Sequence, residues 1–322
     1  MSNERSSVTA FAPATIANVG SGFDVLGCAL ESLGDTVTAR HSTTAGITID
    51  AVTGDSGKLP VDPARNTAGV AVMAMWEALP NTVKLAQESC GIALTVNKGL
   101  PIGSGLGSSS ASAAAALVAA NELLKNPFER HELLPFAMEA ERVACGAAHA
   151  DNVAPSLLGG FVLIRSYSPL DIVQLPSPPS VLLAVVIPDV EVRTSDARKV
   201  LKKMVPLETA VIQWGNVAAL VAGIYRDDPQ LMGRSLTDSI IEPERCQLIP
   251  GFEQVKAAAL ASGALGCSIS GSGPSVFALC PSKEQARSVT AAMQEAFRSF
   301  QISSTSHISA INATGARVID HR

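Results

Sequence analysis

The alternation of apolar and polar side chains changes period several times along the chain, and each change marks an element. Residues 47–52 and 92–96 alternate with a period of two, as half-buried strands do. Residues 67–79 and 110–124 read as helices, the second dominated by alanine, the strongest helix former. Strands and helices thus alternate through the first half. Between 166 and 180 the pattern breaks at Pro169, Pro176, Pro178 and Pro179, which argue against regular structure. A domain seam is expected there, giving an N-terminal domain of residues 1–168 and a C-terminal domain of residues 169–322. Beyond the seam the pattern predicts a strand at 181–187 and helices near 195–204, 207–226 and 252–262. Strands at 267–270 and 275–280 and a helix at 283–298 follow, with Ser282 and Gln285 spaced as a capping box. Two short strands near 308–311 and 316–319 would complete an α+β sandwich of ferredoxin-like type.

Composition agrees with two domains. The chain has 322 residues, 47% of them apolar, enough for two cores. Charged residues are only 16%, below the roughly 25% of an average soluble domain, which hints at an oligomer interface. Twenty-four Lys and Arg against 29 Asp and Glu give a net charge of −5 without long blocks of either sign. With 4% aromatic residues besides, this is a poor nucleic-acid binder. Apolar stretches such as 181–188 are shorter than a bilayer span, and residues 1–7 run polar, without the core of a signal peptide. Cys28, Cys90, Cys145, Cys246, Cys267 and Cys280 show no paired spacing and read as reduced core thiols of a cytoplasmic protein.

The strongest local signal lies between the strand at 92–96 and the helix at 110–124. It runs Lys98-Gly-Leu-Pro101-Ile-Gly103-Ser104-Gly105-Leu106-Gly107-Ser108-Ser109-Ser110. Glycines at 103, 105 and 107 permit positive φ and let backbone N–H groups crowd around an anion. The serines sit where a helix leaves its first N–H groups unpaired and its dipole is positive, a natural seat for phosphate. A capped flexible turn is the bland alternative. The spacing is not that of a P-loop, nor is an acidic ribose reader placed as a dinucleotide fingerprint needs.

Three further clusters carry polar residues in apolar settings. The first, 12–24, holds Asn18 and Asp24 beside Phe23 and Val25; either a turn with a cap or a buried acid needing a cationic partner would account for it. The second follows Glu141 and holds His149, Asp151 and Asn152; Glu141 offers the hard oxygen that Mg²⁺ takes, or simply faces solvent. In the third, Thr194, Arg198 and Arg245 lie near helix starts, and two arginines together can clamp a carboxylate. They could equally form surface ion pairs. Finally, Ser270-Gly-Ser-Gly-Pro274 reads as a hairpin turn or as a second wall of the anion site.

In this combination the chain resembles the GHMP small-molecule kinases, the superfamily of galactokinase, homoserine kinase, mevalonate kinase and phosphomevalonate kinase. Three ordered motifs carry the resemblance: 13–27, 101–112 and 270–274. The segments Ala-Asn-Val-Gly-x-Gly-Phe-Asp, His-Ala-Asp-Asn-Val-Ala-Pro and Val-x-Thr-x-x-Ala-Arg look like the homoserine-phosphorylating branch. The resemblance implies an N-terminal domain like ribosomal protein S5 domain 2, a ferredoxin-like C-terminal domain and an active site between them. It implies phosphorylation of L-homoserine by ATP, a step of threonine biosynthesis, in a cytoplasmic homodimer without nucleic-acid or membrane partners. Residues 103–109 would hold the ATP phosphates, with Asn66, Lys98, Pro101 and Leu106 at nucleotide-site positions. Ser109 and Glu141 would hold Mg²⁺, and Thr194 would sit near the phosphates. Asn18, Asp24, His149, Asn152, Arg198 and Arg245 match substrate-contacting positions. Thr15 and Ile16 stand where other branches carry a lysine that works with an aspartate base. No dedicated base is therefore expected, and Asp151→Asn should keep far more activity than Asn152→Leu. A kinase for another small alcohol, a non-catalytic nucleotide-binding relative and a dehydrogenase are the competing readings.

Overall fold

The computed structural model describes residues 6–80 and 90–321. Six strands open the chain: β1 (Ser7–Ala17), β2 (Leu26–Ser42), β3 (Gly46–Thr53), β4 (Gly91–Asn97), β5 (Phe161–Tyr167) and β6 (Leu170–Leu175). They form one sheet in which β2 lies between β1 and β4, β3 runs parallel to β4, and β5 pairs with both β2 and β6. Strands β7 (Leu182–Pro188), β8 (Gly266–Ile269), β9 (Val276–Cys280) and β10 (Ser304–Ser309) build a second, antiparallel sheet in the order β10-β7-β9-β8. The last strand, β11 (Arg317–His321), returns to the first sheet and pairs with β1.

Helices α1 (Thr67–Glu77), α2 (Ser108–Leu123) and α4 (Val153–Leu158) pack on the first sheet, and α3 (Leu134–Cys145) packs on these helices. Alanines explain the place of α2. A helix with small apolar side chains all round can lie in the middle of a domain, and nearly all of α2 from Ser110 to Leu123 is buried. It touches β1, β2, α1, α3 and α4. The second half adds α5 (Thr194–Lys199), α6 (Leu207–Arg226), α7 (Pro229–Ser235), α8 (Glu242–Arg245), α9 (Phe252–Ala261) and α10 (Lys283–Ser299). Helices α9 and α10 pack on each other and on the second sheet, closing a core around Phe252, Phe297, Val255 and Val289. The result is the two-sheet α+β architecture that the resemblance implies.

Several expectations change in detail. The prolines of 166–180 flank a strand instead of forbidding one. Pro169 sits in the turn between β5 and β6, and Pro176, Pro178 and Pro179 follow β6, so the boundary drawn at 168/169 cuts a hairpin. The passage between sheets lies at 176–181. The final predicted strand joins the first sheet because its edge partner is β1, a choice that residue alternation does not encode. Helix α5 stops at Lys199, short of 204. Only half of the capping box forms: Ser282 accepts from the Gln285 N–H, while the Gln285 amide turns to the Ser262 carbonyl. Cys28, Cys267 and Cys280 are buried free thiols, whereas Cys90 and Cys246 are half-exposed.

Helix α6 also corrects the statement about apolar stretches. By length and composition alone, Leu207–Arg226 could cross a membrane. It sits instead against α7, and its buried Gln213 donates to the Ser21 carbonyl (2.7 Å) and to Asp238 (2.9 Å).

Candidate active site

The two halves meet along a cleft of about 400 Å³. One end is lined by the glycine-serine loop, Asn66, Lys98 and Glu141, and the other by Asn18, Asp24, His149, Asn152, Arg198 and Arg245, with Thr194 also on the lining. Of the predicted residues, Pro101 and Leu106 do not line it. Pro101 is exposed, and Leu106 is buried, with its carbonyl accepting from the Thr15 N–H at 3.0 Å.

The loop is built on its backbone. Gly103, Gly105 and Gly107 all have positive φ (72°, 77° and 66°). At Gly105 a Cβ would stand 2.5 Å from the Gly273 carbonyl oxygen. The third motif is therefore both the hairpin between β8 and β9 and a wall against the loop. Ser270 Oγ donates to the Gly105 carbonyl (2.8 Å), and the Ser275 N–H donates to the Ser104 carbonyl (3.2 Å). Gly107 caps α2 without a side-chain bond, so the first N–H groups of that helix are left for a ligand. The hydroxyls of Ser104 and Ser108 are buried and unpartnered among the described residues. Orphaned buried hydroxyls beside free helix N–H groups fit phosphate oxygens.

Lys98 lines the phosphate end of the cleft. Its ammonium is buried and directed at Asp35, the Ser108 carbonyl (2.7 Å) and Ser112 Oγ (2.7 Å). Burial pulls its pKa down and Asp35 opposes that. Asp35, on β2, also accepts from the N–H groups of Gly99 (2.9 Å) and Leu100 (3.2 Å) and from Ser112 Oγ (2.7 Å). The pair thus ties both ends of the loop together. Asp35 went unnoticed because a lone acid in a 17-residue strand looks like a solvent-facing position. Asn66 likewise serves the fold as N-cap of α1: it accepts from the Ala68 N–H (3.1 Å) and donates to the Pro60 carbonyl (2.9 Å).

Glu141, brought in by α3, accepts from Ser109 Oγ (2.6 Å) and Ser110 Oγ (2.9 Å). Carboxylate and hydroxyl oxygens suit a hard divalent ion, and one carboxylate plus substrate phosphates is a usual supply for Mg²⁺. The donor set fits the ion.

At the opposite end the charges pair with one another. Asp24 receives Arg198 at 2.8 and 3.3 Å and lies 3.8 Å from His149 Nδ1. Arg245 is buried and donates to the carbonyls of Gly271 (2.7 Å) and Ala197 (3.2 Å). Phe23 stacks under both arginines, 5.5 Å from the Arg198 guanidinium and 5.1 Å from that of Arg245. Asn18 holds the corner: it donates to the Gly271 carbonyl and accepts from the Asp24 N–H, both at 3.0 Å. Asn18, Val19 and Asp24 have φ of 68°, 44° and 59°, a strained turn for side-chain-bearing residues. His149 Nε2 and Arg198 Nε are buried without partners among the described residues.

Electrostatics follow from this crowding. Burial, with Arg198 nearby, lowers Arg245 to about 10. Burial lowers His149, against the pull of Asp24, so its imidazole is mostly neutral at pH 7. Burial, helped by the negative charges of Asp24 and Glu141, pushes Asp151 up to about 7. Two positioning residues were missed by sequence reasoning besides Asp35. Phe23 was read only as an apolar neighbour, and the Tyr167 hydroxyl joins the Asp24 carbonyl (2.8 Å) to the Ala150 N–H (3.3 Å).

Two family models match the chain, the GHMP kinases N terminal domain over residues 70–160 and the GHMP kinases C terminal domain over residues 220–299. Fold and loop together therefore define a GHMP kinase. A homoserine kinase of Chlorobium phaeobacteroides is 51% identical over 97% of this chain and 99% of its own length. One from Chlorobaculum tepidum is 50% identical over 97% and 98%. The crystal structure of homoserine kinase from Cytophaga hutchinsonii, 50% identical, covers 99% of both chains with a TM-score of 0.93. The chain belongs to the homoserine kinase family within the GHMP kinases. A mevalonate kinase of L. major, 15% identical with a TM-score of 0.73, shares the fold.

Proposed function

We propose that the protein transfers the terminal phosphoryl group of ATP to the hydroxyl of L-homoserine. The observation that carries this reading is the division of one cleft into a phosphate-shaped end and an end with two guanidiniums and one carboxylate. An amino acid bearing a primary alcohol matches both ends. Its carboxylate suits Arg198 and Arg245, its ammonium suits Asp24, and its side chain points toward Asn152 and the loop. For that match Asp24 and Arg198 exchange part of their mutual contact for contacts to the ligand.

Phosphoryl transfer depends mainly on positioning and charge neutralisation, so the site does not require a strong base. The loop N–H groups, Ser104 and Ser108 cradle the phosphates, while Lys98 and Asp35 keep the loop in shape from behind. Ser109 and Glu141 hold Mg²⁺, which when bound neutralises phosphate charge. Asn152, not Asp151, meets the acceptor hydroxyl, and Thr194 stands near the phosphates. Asn18 and His149 complete the substrate end. The protein works as a cytoplasmic homodimer. Val211, Ile212 and Trp214 are more than half exposed on α6, between Glu208 and Arg226, with no charge along that stretch. Gly215 in mid-helix costs about 0.5–1 kcal/mol relative to alanine, which the close approach of a second helix would explain.

The test is ADP release with Mg-ATP and L-homoserine, D-homoserine, L-serine, L-threonine, mevalonate or galactose. Turnover with L-homoserine alone is expected, with Asp151→Asn keeping much more of it than Asn152→Leu. Turnover only with another alcohol would keep the phosphate end and discard the substrate. ATP binding without any turnover would leave a nucleotide-binding relative.

A further inference from the structure

The acceptor end of the site contains a contact that the phosphate loop, the substrate clamp and the metal pair leave unused. Thr15 lies on β1 directly after the register shift between Pro13 and Thr15, and it is fully buried. Its backbone N–H donates to the Leu106 carbonyl at 3.0 Å, inside the phosphate loop. Its Oγ1 donates to Asn152 Oδ1 at 2.7 Å, at the start of α4. Gly107 closes over the pair, since a Cβ there would fall 2.1 Å from Thr15 Oγ1 and 2.8 Å from Asn152 Oδ1. One residue therefore links the loop, through its backbone, to the residue expected to face the acceptor alcohol, through its hydroxyl.

A primary amide has an accepting end and a donating end. With Oδ1 occupied by the Thr15 hydroxyl, the NH₂ is the end of the Asn152 amide left for a ligand in the cleft that Asn152 lines, and no described residue accepts from it. We propose that Thr15 is a positioning residue that fixes Asn152 as a hydrogen-bond donor to the acceptor hydroxyl. This rests on the kinase reading above and deepens it.

The consequence concerns the proton. The acceptor oxygen takes a hydrogen bond from Asn152 on one lone pair and attacks phosphorus with the other. As its O–P bond forms, the bond from phosphorus to the bridging oxygen breaks, and that electron pair leaves with ADP. A donating amide cannot receive the hydroxyl proton, so the O–H points away from Asn152. The proton leaves on an oxygen of the transferred phosphoryl group and passes from there to water. Asn152 sets the line of attack, and Thr15 sets Asn152.

The experiment compares Thr15→Val, which keeps the shape and deletes the hydroxyl, with Thr15→Ser, which keeps the hydroxyl. Thermal stability, kcat and KM for homoserine and for ATP are measured on each, and again with Asn152→Ala in the background. Thr15→Val is expected to lower kcat by about 10- to 100-fold, with both KM values within about twofold and the melting temperature little changed. Thr15→Ser should recover most of kcat. In the Asn152→Ala background Thr15→Val should cost nothing further, because the residue acts only through that amide. Full kcat in Thr15→Val, an equal loss in Thr15→Ser, or losses that simply multiply with Asn152→Ala would each overturn the proposal. Should Thr15→Val fail to fold, Thr15→Ala enters the same cycle. The unmodified enzyme separates the two claims: if it ignores homoserine but uses another alcohol, the substrate reading falls and the Thr15 cycle is read on that alcohol. If it phosphorylates none, both fall.

Discussion

The two ends of the cleft are built by opposite means. At the phosphate end the shape comes from backbone, fixed by three glycines and by one buried ion pair lying behind the loop. At the acceptor end it comes from side chains on the β1–β2 turn, α5 and α8, which hold one another across the cleft. The first end is held by bonds within the protein alone. The second is held by contacts that a ligand of matching charge can replace, so the same bonds that fill the site also define what may enter it. Damage should therefore appear as lost stability at one end and as lost substrate recognition at the other.

The largest effect is expected behind the loop. Asp35→Ala leaves the Lys98 ammonium buried without its partner and should cost about 3–5 kcal/mol, a fall in melting temperature on the order of 10 °C. A melting curve within about 2 °C of the parent would mean that the loop does not depend on this pair. Next comes Arg198→Ala, which should reduce kcat/KM for homoserine by at least about 30-fold while leaving KM for ATP near its starting value. A matching rise in KM for ATP would erase the distinction between the ends.

A smaller effect separates them by pH. Because the folded-state pKa of Asp151, about 7, lies above the usual carboxylate range, the folded protein binds its proton more tightly than the unfolded chain. Its contribution is fully present below pH ~4 and is lost as pH rises through about 7. Asp151→Asn should thus flatten this part of the stability profile and make the variant relatively more stable at pH 8 than at pH 5. Urea titrations at the two pH values, showing an unchanged difference between variant and parent, would remove Asp151 as the cause. The smallest effect on the cleft is expected from Trp214→Glu on α6, which should halve the mass seen by light scattering and leave KM for both substrates unchanged. A monomeric parent would end the dimer proposal.

The difference between the ends also decided what could be read from the sequence. Glycines at 103, 105 and 107 between a strand and an alanine-rich helix carry local information, because turn conformation and helix start depend on neighbours in the chain. The meeting of Asp24, His149, Arg198 and Arg245 is spread over more than two hundred residues, and only the resemblance to a family brought them together. Their bonding partners were not legible even there: Lys98 and Asn66 line the cleft while their polar ends bond to Asp35 and to backbone, since a buried lysine or amide must first satisfy itself. The hairpin of β5 and β6 was lost because prolines were counted without regard to position, and those prolines stand at its ends. The path of β11 was unreadable for another reason. A five-residue strand states that it needs an edge, not which edge it takes.

That last strand has a consequence for how the chain is made. Val8 pairs with His321 and Thr9 with Asp320, so two segments at opposite extremes of the sequence lie side by side. During synthesis the first sheet stays open along β1 until residues 317–321 have left the ribosome, by which time the whole second sheet has emerged. The domain begun first is therefore the one closed last, and cutting those five residues away would leave β1 as an open edge of a sheet whose other members all lie between residues 7 and 175.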